Sequence, residues 1–251
     1  MRMKIYKYKN YDEVSKAAAG FVTREIIRKP TIILGLATGT SPIGLYEYLI
    51  KANQNHIISF KDVKTFNLDE YVGIDKNHPQ SYNTFMHDYF FNHVDINLNN
   101  INMPSNDLSN MEKLAEEYNK KLFGNQRDLQ LLGIGKNGHI GFNEPGSQLS
   151  NQTFIVKLDE QTRKDNSRFF SSLDEVPRYA ITMGIKNIMF SKKILLIASG
   201  STKAEAIYKT VYGKITEDVP ASILQLHPDV TIIVDEEASK LLNMESNYLE
   251  F

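Results

Sequence analysis

His139 and Glu144 stand five residues apart in Gly138-His139-Ile140-Gly141-Phe142-Asn143-Glu144, directly after the apolar run Leu129 to Ile134. A neutral imidazole with a carboxylate nearby can move protons near pH 7. The surrounding glycines let a ligand approach the backbone closely. Asp69 follows a second apolar run, Val63 to Leu68, and is a further candidate base. An acid in that place also serves as a helix cap or a plain loop acid.

Two stretches have the make-up of anion sites. Thr38-Gly39-Thr40-Ser41-Pro42 joins a short apolar run to an amphipathic one, with Ser41 a candidate N-cap and Pro42 suited to the first helical position. The free N–H groups and partial positive charge of a helix start, with hydroxyls added, suit phosphate. The same residues suit a plain capped turn. Ser199-Gly200-Ser201-Thr202-Lys203 repeats the arrangement and adds a cation. Neither ends in the Gly-Lys-Ser/Thr of a nucleotide P-loop. Arg163 and Arg168 could reach a phosphate from further along the chain, or could lie on a solvated helix face. Gly133-Ile134-Gly135-Lys136-Asn137-Gly138 matches G-x-G-x-x-G, yet a dinucleotide fold needs a long helix to start here. Pro145-Gly146 interrupts too soon for that, so the stretch reads as a catalytic turn.

Cysteine is absent, which excludes a thiol nucleophile, disulfides and cysteine-ligated zinc or iron–sulfur centres. Zinc deaminase chemistry, which needs cysteine ligands, goes with them. The histidines at 56, 78, 87, 93 and 227 show no ligand spacing, so no metal is expected.

These residues need strands and helices to hold them. Thr31–Ala37, Val63–Leu68, Leu129–Ile134, Ile194–Ala198 and Val230–Val234 read as buried strands. Asp12–Arg28, Ile43–Ala52, Ser109–Phe123 and Ala204–Tyr212 read as helices. The alternation predicts an α/β fold with an open, mostly parallel, doubly wound sheet and helices on both faces. Ligands bind such a sheet beyond the carboxyl ends of its strands, where all the loops above fall. The 251 residues are expected to form one domain, with a lid excursion within 148–177 where the chain turns polar. A net charge of −1 gives no global footprint for nucleic acid or a membrane surface. No apolar run reaches the length of a membrane span and the N-terminus lacks a signal-peptide core, so a cytoplasmic location is expected. The residues alone thus lead to a phosphate-binding α/β enzyme that uses acid–base chemistry.

The segments NLDEYVGI (67–74), SYNTFM (81–86), LLGIGKNGHIGFNEPGS (131–147), TRKDNSRFF (162–170), GSTKA (200–204) and LQLHPDV (224–230) resemble the glucosamine-6-phosphate deaminase family. The likeness runs in order over nearly the whole chain. It implies conversion of glucosamine 6-phosphate and water to fructose 6-phosphate and ammonia in amino-sugar catabolism, without metal or organic cofactor, and a place among the hydrolases. By matching position, Asp69 corresponds to the enolisation base. His139, with Glu144 and Asn137, corresponds to the ring-opening group. Thr38, Gly39, Thr40, Ser41, Arg168 and Lys203 correspond to the phosphate contacts. Many members carry aspartate at the place of Asn137; its carbonyl is expected to orient His139 through a ring nitrogen and to preserve activity. Allosteric hexameric members use basic residues where this chain has Phe154 and Val156, and the chain stops early at Phe251. No activation by N-acetylglucosamine 6-phosphate and a monomer or small homo-oligomer are therefore expected. A 6-phosphogluconolactonase-like hydrolase and a non-catalytic sugar-phosphate sensor are the alternatives; the sensor needs the phosphate loops but not the proton-transfer set.

Overall fold

The computed structural model describes residues 3–243 except 109, 150, 159, 168, 169 and 171. Its strands are β1 (Lys4–Tyr8), β2 (Ile33–Leu36), β3 (Lys64–Asn67), β4 (Asp69–Val72), β5 (Ile101–Asn102), β6 (Leu129–Leu132), β7 (Phe154–Lys157), β8 (Tyr179–Thr182), β9 (Ile194–Ala198) and β10 (Val230–Asp235). Its helices are α1 (Tyr11–Arg28), α2 (Ile43–Gln54), α3 (Tyr82–Tyr89), α4 (Met111–Gly124), α5 (Glu160–Ser167), α6 (Ile185–Met189) and α7 (Ala204–Tyr212).

Seven strands form one parallel sheet in the order β1-β10-β9-β6-β2-β3-β5. The central strands β9 (ILLIA) and β10 (VTIIVD) are buried at every residue, as expected of strands covered on both faces. From β2 the chain runs outward through β3 to β5, then returns to β6 on the other side of β2 and continues to β9 and β10. Right-handed crossovers put helices of opposite travel on opposite faces. Thus α1 packs with α2 on one face, and α4 and α7 fall on the other. The reversal between β2 and β6 is a switch point, where the loops beyond the strands part and leave a crevice.

The open parallel sheet agrees with the sequence-based expectation, and three local features differ from it. The strand expected over Val63–Leu68 is β3 of the parallel sheet, while β4, which was not foreseen, starts a second sheet at Asp69. That second sheet is antiparallel, in the order β4-β8-β7. The polar stretch expected as a lid excursion within 148–177 supplies β7 and α5. The edge strand β1 was not foreseen; its alternating charges hide a strand that is only half buried.

Arg127 is fully buried, and among the described residues no carboxylate pairs with it. Its guanidinium donates to the carbonyls of Leu122, Asn125 and Asn187. It thereby closes the C-terminal end of α4 and ties it to α6. No helix among the described residues is long and apolar enough to cross a membrane.

Candidate active site

A cleft of about 960 Å³ opens at the carboxyl edge of the sheet. Its walls come from the loops after β2, β3, β6 and β9, and the switch point lies between β2 and β6. Thr38, Gly39, Thr40, Ser41, Asp69, His139, Glu144 and Lys203 all line it. Residues far apart in sequence therefore meet because their strands are neighbours.

The loop after β6 is a tight turn, not a helix start, which removes the dinucleotide reading of its glycines. The Gly138 N–H donates to the Gly135 carbonyl at 3.0 Å, and the Gly135 N–H to the His139 carbonyl at 2.9 Å. The imidazole of His139 folds back over Gly135. A β-carbon at 135 would lie 2.3 Å from His139 Cε1, so only glycine leaves room for the ring. Glu144 Oε1 lies 2.9 Å from His139 Nδ1. That distance makes an ion pair when the ring is protonated.

Asn137 works differently from the expected ring contact. Its amide Nδ2 donates to Glu144 Oε2 at 2.7 Å, and its Oδ1 accepts from the His139 backbone N–H at 3.2 Å. It fixes the carboxylate and the turn, and does not touch the imidazole nitrogens. An aspartate here would repel Glu144 instead of donating to it.

Asp69 starts β4, opposite Thr182 of β8, and is 7% exposed. The site where a β-carbon would stand on Gly141 is 3.5 Å from Asp69 Oδ2, so the carboxylate and the His139 loop are in close register. Gly141 has φ of 57°, a conformation glycine adopts without strain. Burial, and then the neighbouring Glu70 charge, push the Asp69 carboxyl up to about 8. Glu70 faces away from this role. Its carboxylate accepts the backbone N–H groups of Tyr71, Tyr82 and Asn83 at 2.8–2.9 Å, which anchors the start of α3 to β4. Burial also raises the Glu70 carboxyl, and those three N–H donors offset part of the rise.

At the other loops, Tyr11 organises the turn after β2. Its hydroxyl donates to the Thr40 carbonyl at 3.0 Å and accepts the Gly44 N–H at 2.9 Å. The expected N-cap on Ser41 is absent: Pro42 occupies that place and no side chain caps α2. The Ser41 side chain lines the cleft instead. Asp235 at the end of β10 accepts the Gly200 N–H through both oxygens, at 2.9 and 3.0 Å, and so pins the turn that carries Lys203. Burial, and then the nearby charge of Lys136, lower the Lys203 ammonium.

Arg168 lies outside the described residues. Arg163 does not serve a phosphate: it donates to the carbonyls of Leu173 and Val176 at 2.7 and 3.1 Å and so holds α5 against the following turn. Sequence reading missed Tyr82, Lys136, Lys164 and Thr202 as cleft residues. Lys136 and Thr202 sat inside loops already singled out, so their chemistry was a usable signal. Tyr82 and Lys164 reach the cleft through the placement of α3 and α5, which no local pattern foretold. Among the described residues no three His, Cys, Asp or Glu side chains gather to hold a metal ion.

Fold and cleft together define an open parallel α/β protein built around a switch-point crevice, with an aspartate, an imidazole and lysines in its walls. The chain belongs to the family of glucosamine-6-phosphate isomerases and 6-phosphogluconolactonases, whose model matches residues 9–233. It is 53% identical to a glucosamine-6-phosphate deaminase of Clostridium novyi (strain NT), over 96% of this chain and 100% of that protein. The solved structure of a monomeric glucosamine-6-phosphate deaminase overlays with a TM-score of 0.91 at 46% identity, covering 95% of this chain and 100% of that one. The 6-phosphogluconolactonase of Trypanosoma brucei overlays with a TM-score of 0.79 at 16% identity, covering 96% of this chain and 99% of that one, a likeness of fold alone. The expected class of hydrolase is corrected by these relatives. At 53% and 46% identity they are named as deaminases, an activity of the lyase and isomerase type.

Proposed function

We propose that this protein converts glucosamine 6-phosphate and water to fructose 6-phosphate and ammonia, by an aldose–ketose isomerisation coupled to deamination. What supports the reading is one cleft holding Asp69 against Gly141, beside the His139–Glu144 pair, with Lys203 and the Thr38–Ser41 turn in the same walls.

The residues serve the steps as follows. His139 moves the ring-oxygen proton and opens the pyranose, held by Glu144, which Asn137 fixes in turn. Asp69 takes the C2 proton of the open-chain amino sugar. The electron pair forms the C1–C2 enolamine, and a proton returned to C1 gives the 2-imine. Water adds to C2, the C–N bond breaks and ammonia leaves, so atoms balance with no cofactor. Thr38, Gly39, Thr40, Ser41, Arg168 and Lys203 hold the phosphate in this reading. The raised carboxyl of Asp69 fits an amino-sugar substrate: a substrate ammonium beside it favours the carboxylate, the form a base needs.

The 148–177 stretch acts as a lid over the cleft within a single domain spanning 1–251. A monomer or small homo-oligomer and a cytoplasmic setting belong to the same proposal, as does the lack of activation by N-acetylglucosamine 6-phosphate. Phe154 and Val156 pair with Thr182 and Ala180 in the second sheet and offer no charge to a phosphate. The test is incubation of the purified protein with glucosamine 6-phosphate in metal-free buffer. Ammonia and fructose 6-phosphate released in equal amounts support the proposal. Inertness toward that substrate, with hydrolysis of 6-phosphogluconolactone, overturns it.

A further inference from the structure

Lys136 stands at the tip of the turn after β6, one residue from the amide that fixes Glu144, and its side chain lines the cleft. The turn is closed by the Gly138 and Gly135 backbone bonds and by Asn137 Oδ1 on the His139 N–H, so the site of this lysine is set by rigid backbone. Lys203 reaches the same cleft from the turn after β9, the strand next to β6. Among the described residues neither lysine makes an ion pair. Two cations thus face one crevice, each without an ion-pair partner among the described residues. Lys203 is half-buried and Lys136 exposed; their like charges repel, and an anion between them relieves the repulsion.

Lys136 and Lys203 reach the cleft from the turns after β6 and β9, the β6 turn also brings Glu144, held by Asn137, and Asp69 lies on the β3–β4 side. A substrate with a dianion at one end and an amine at the other matches the lysines and Asp69.

We infer that Lys136 is a phosphate-binding residue of this cleft, acting with Lys203 to grip the 6-phosphate and setting affinity for the phosphorylated sugar. This rests on the proposed sugar-phosphate reading. Burial, and then the charge of Lys136, lower the Lys203 ammonium, so the pairing is expected to show in the pH dependence of binding. Removing Lys136 weakens anion binding and at the same time lets Lys203 keep its proton to higher pH.

The experiment compares the native protein with Lys136→Met and Lys136→Arg, using inorganic phosphate as the probe in binding calorimetry from pH 7 to pH 10. This readout needs no turnover, so it separates failure of this inference from failure of the deaminase reading. Lys136→Met is expected to weaken phosphate binding roughly tenfold at pH 7, the range for a lost charge-assisted contact. Its loss of binding at alkaline pH moves to higher pH, and Lys136→Arg restores affinity. With glucosamine 6-phosphate, KM rises by a similar factor while kcat changes much less. A merely structural role moves neither the alkaline limb nor the arginine rescue. Phosphate affinity and pH dependence equal to native in Lys136→Met, with native-like melting, overturn the inference. So does a phosphate-binding native protein whose lysine variants all bind alike.

Discussion

Burial makes Asp69 a stronger base than a surface aspartate and charges the fold for it. An unfolded chain holds this carboxyl near 3.9, and the native state holds it near 8. Between those values the native state binds a proton that the unfolded chain has lost. Stability therefore falls as pH rises through that window and levels off above about 8. Asp69→Asn keeps the shape and removes the titration. Its melting temperature relative to native is expected to climb steadily from pH 5 to pH 8, worth up to about 1.4 kcal/mol per pH unit. A difference constant with pH would mean that the native carboxyl is ionised throughout. Three side chains were legible at this scale: His139, Glu144 and Asp69 drew notice by type and place. Asn137 was misread because an amide aimed at Glu144 looks, in sequence, like one aimed at an imidazole.

Among the elements, the turn after β6 bears most directly on catalysis. Gly135 is there because the His139 ring occupies the place of its missing side chain. In Gly135→Ala the ring must leave its position beside Glu144, since a contact of 2.3 Å cannot be absorbed by small shifts of a rigid turn. Activity is expected to fall about 100-fold, the scale of a misplacement of about 1 Å, with little change in phosphate affinity. Rate assays beside phosphate calorimetry check this, and an alanine variant of near-native rate would show the ring free to move without consequence. Long apolar runs announced β9, α7 and the parallel sheet. The end of β3 was legible, but β4 as a separate strand was not. Asn67-Leu68-Asp69-Glu70-Tyr71-Val72 is buried almost without interruption, and only the tertiary pairing of β4 with β8 divides it. The polar 148–177 stretch hid β7 because that strand is only half covered.

At the scale of the whole molecule, strand order decides what meets. β9, β6, β2 and β3 are neighbours, so four loops spread over 165 residues of sequence, from Thr38 to Lys203, face one crevice. The crevice was legible, because βα alternation prescribes where ligands lie. The cationic flank was not, because it depends on which strands are adjacent. The central claim is that Asp69 moves the proton between C2 and C1 while other groups hold the substrate. Its most direct test measures glucosamine 6-phosphate affinity and deamination rate together in Asp69→Asn. Loss of a general base predicts substrate affinity within about threefold of native and a rate at least roughly 100-fold lower. A variant that binds the substrate and still releases ammonia and fructose 6-phosphate at near-native rate would contradict it.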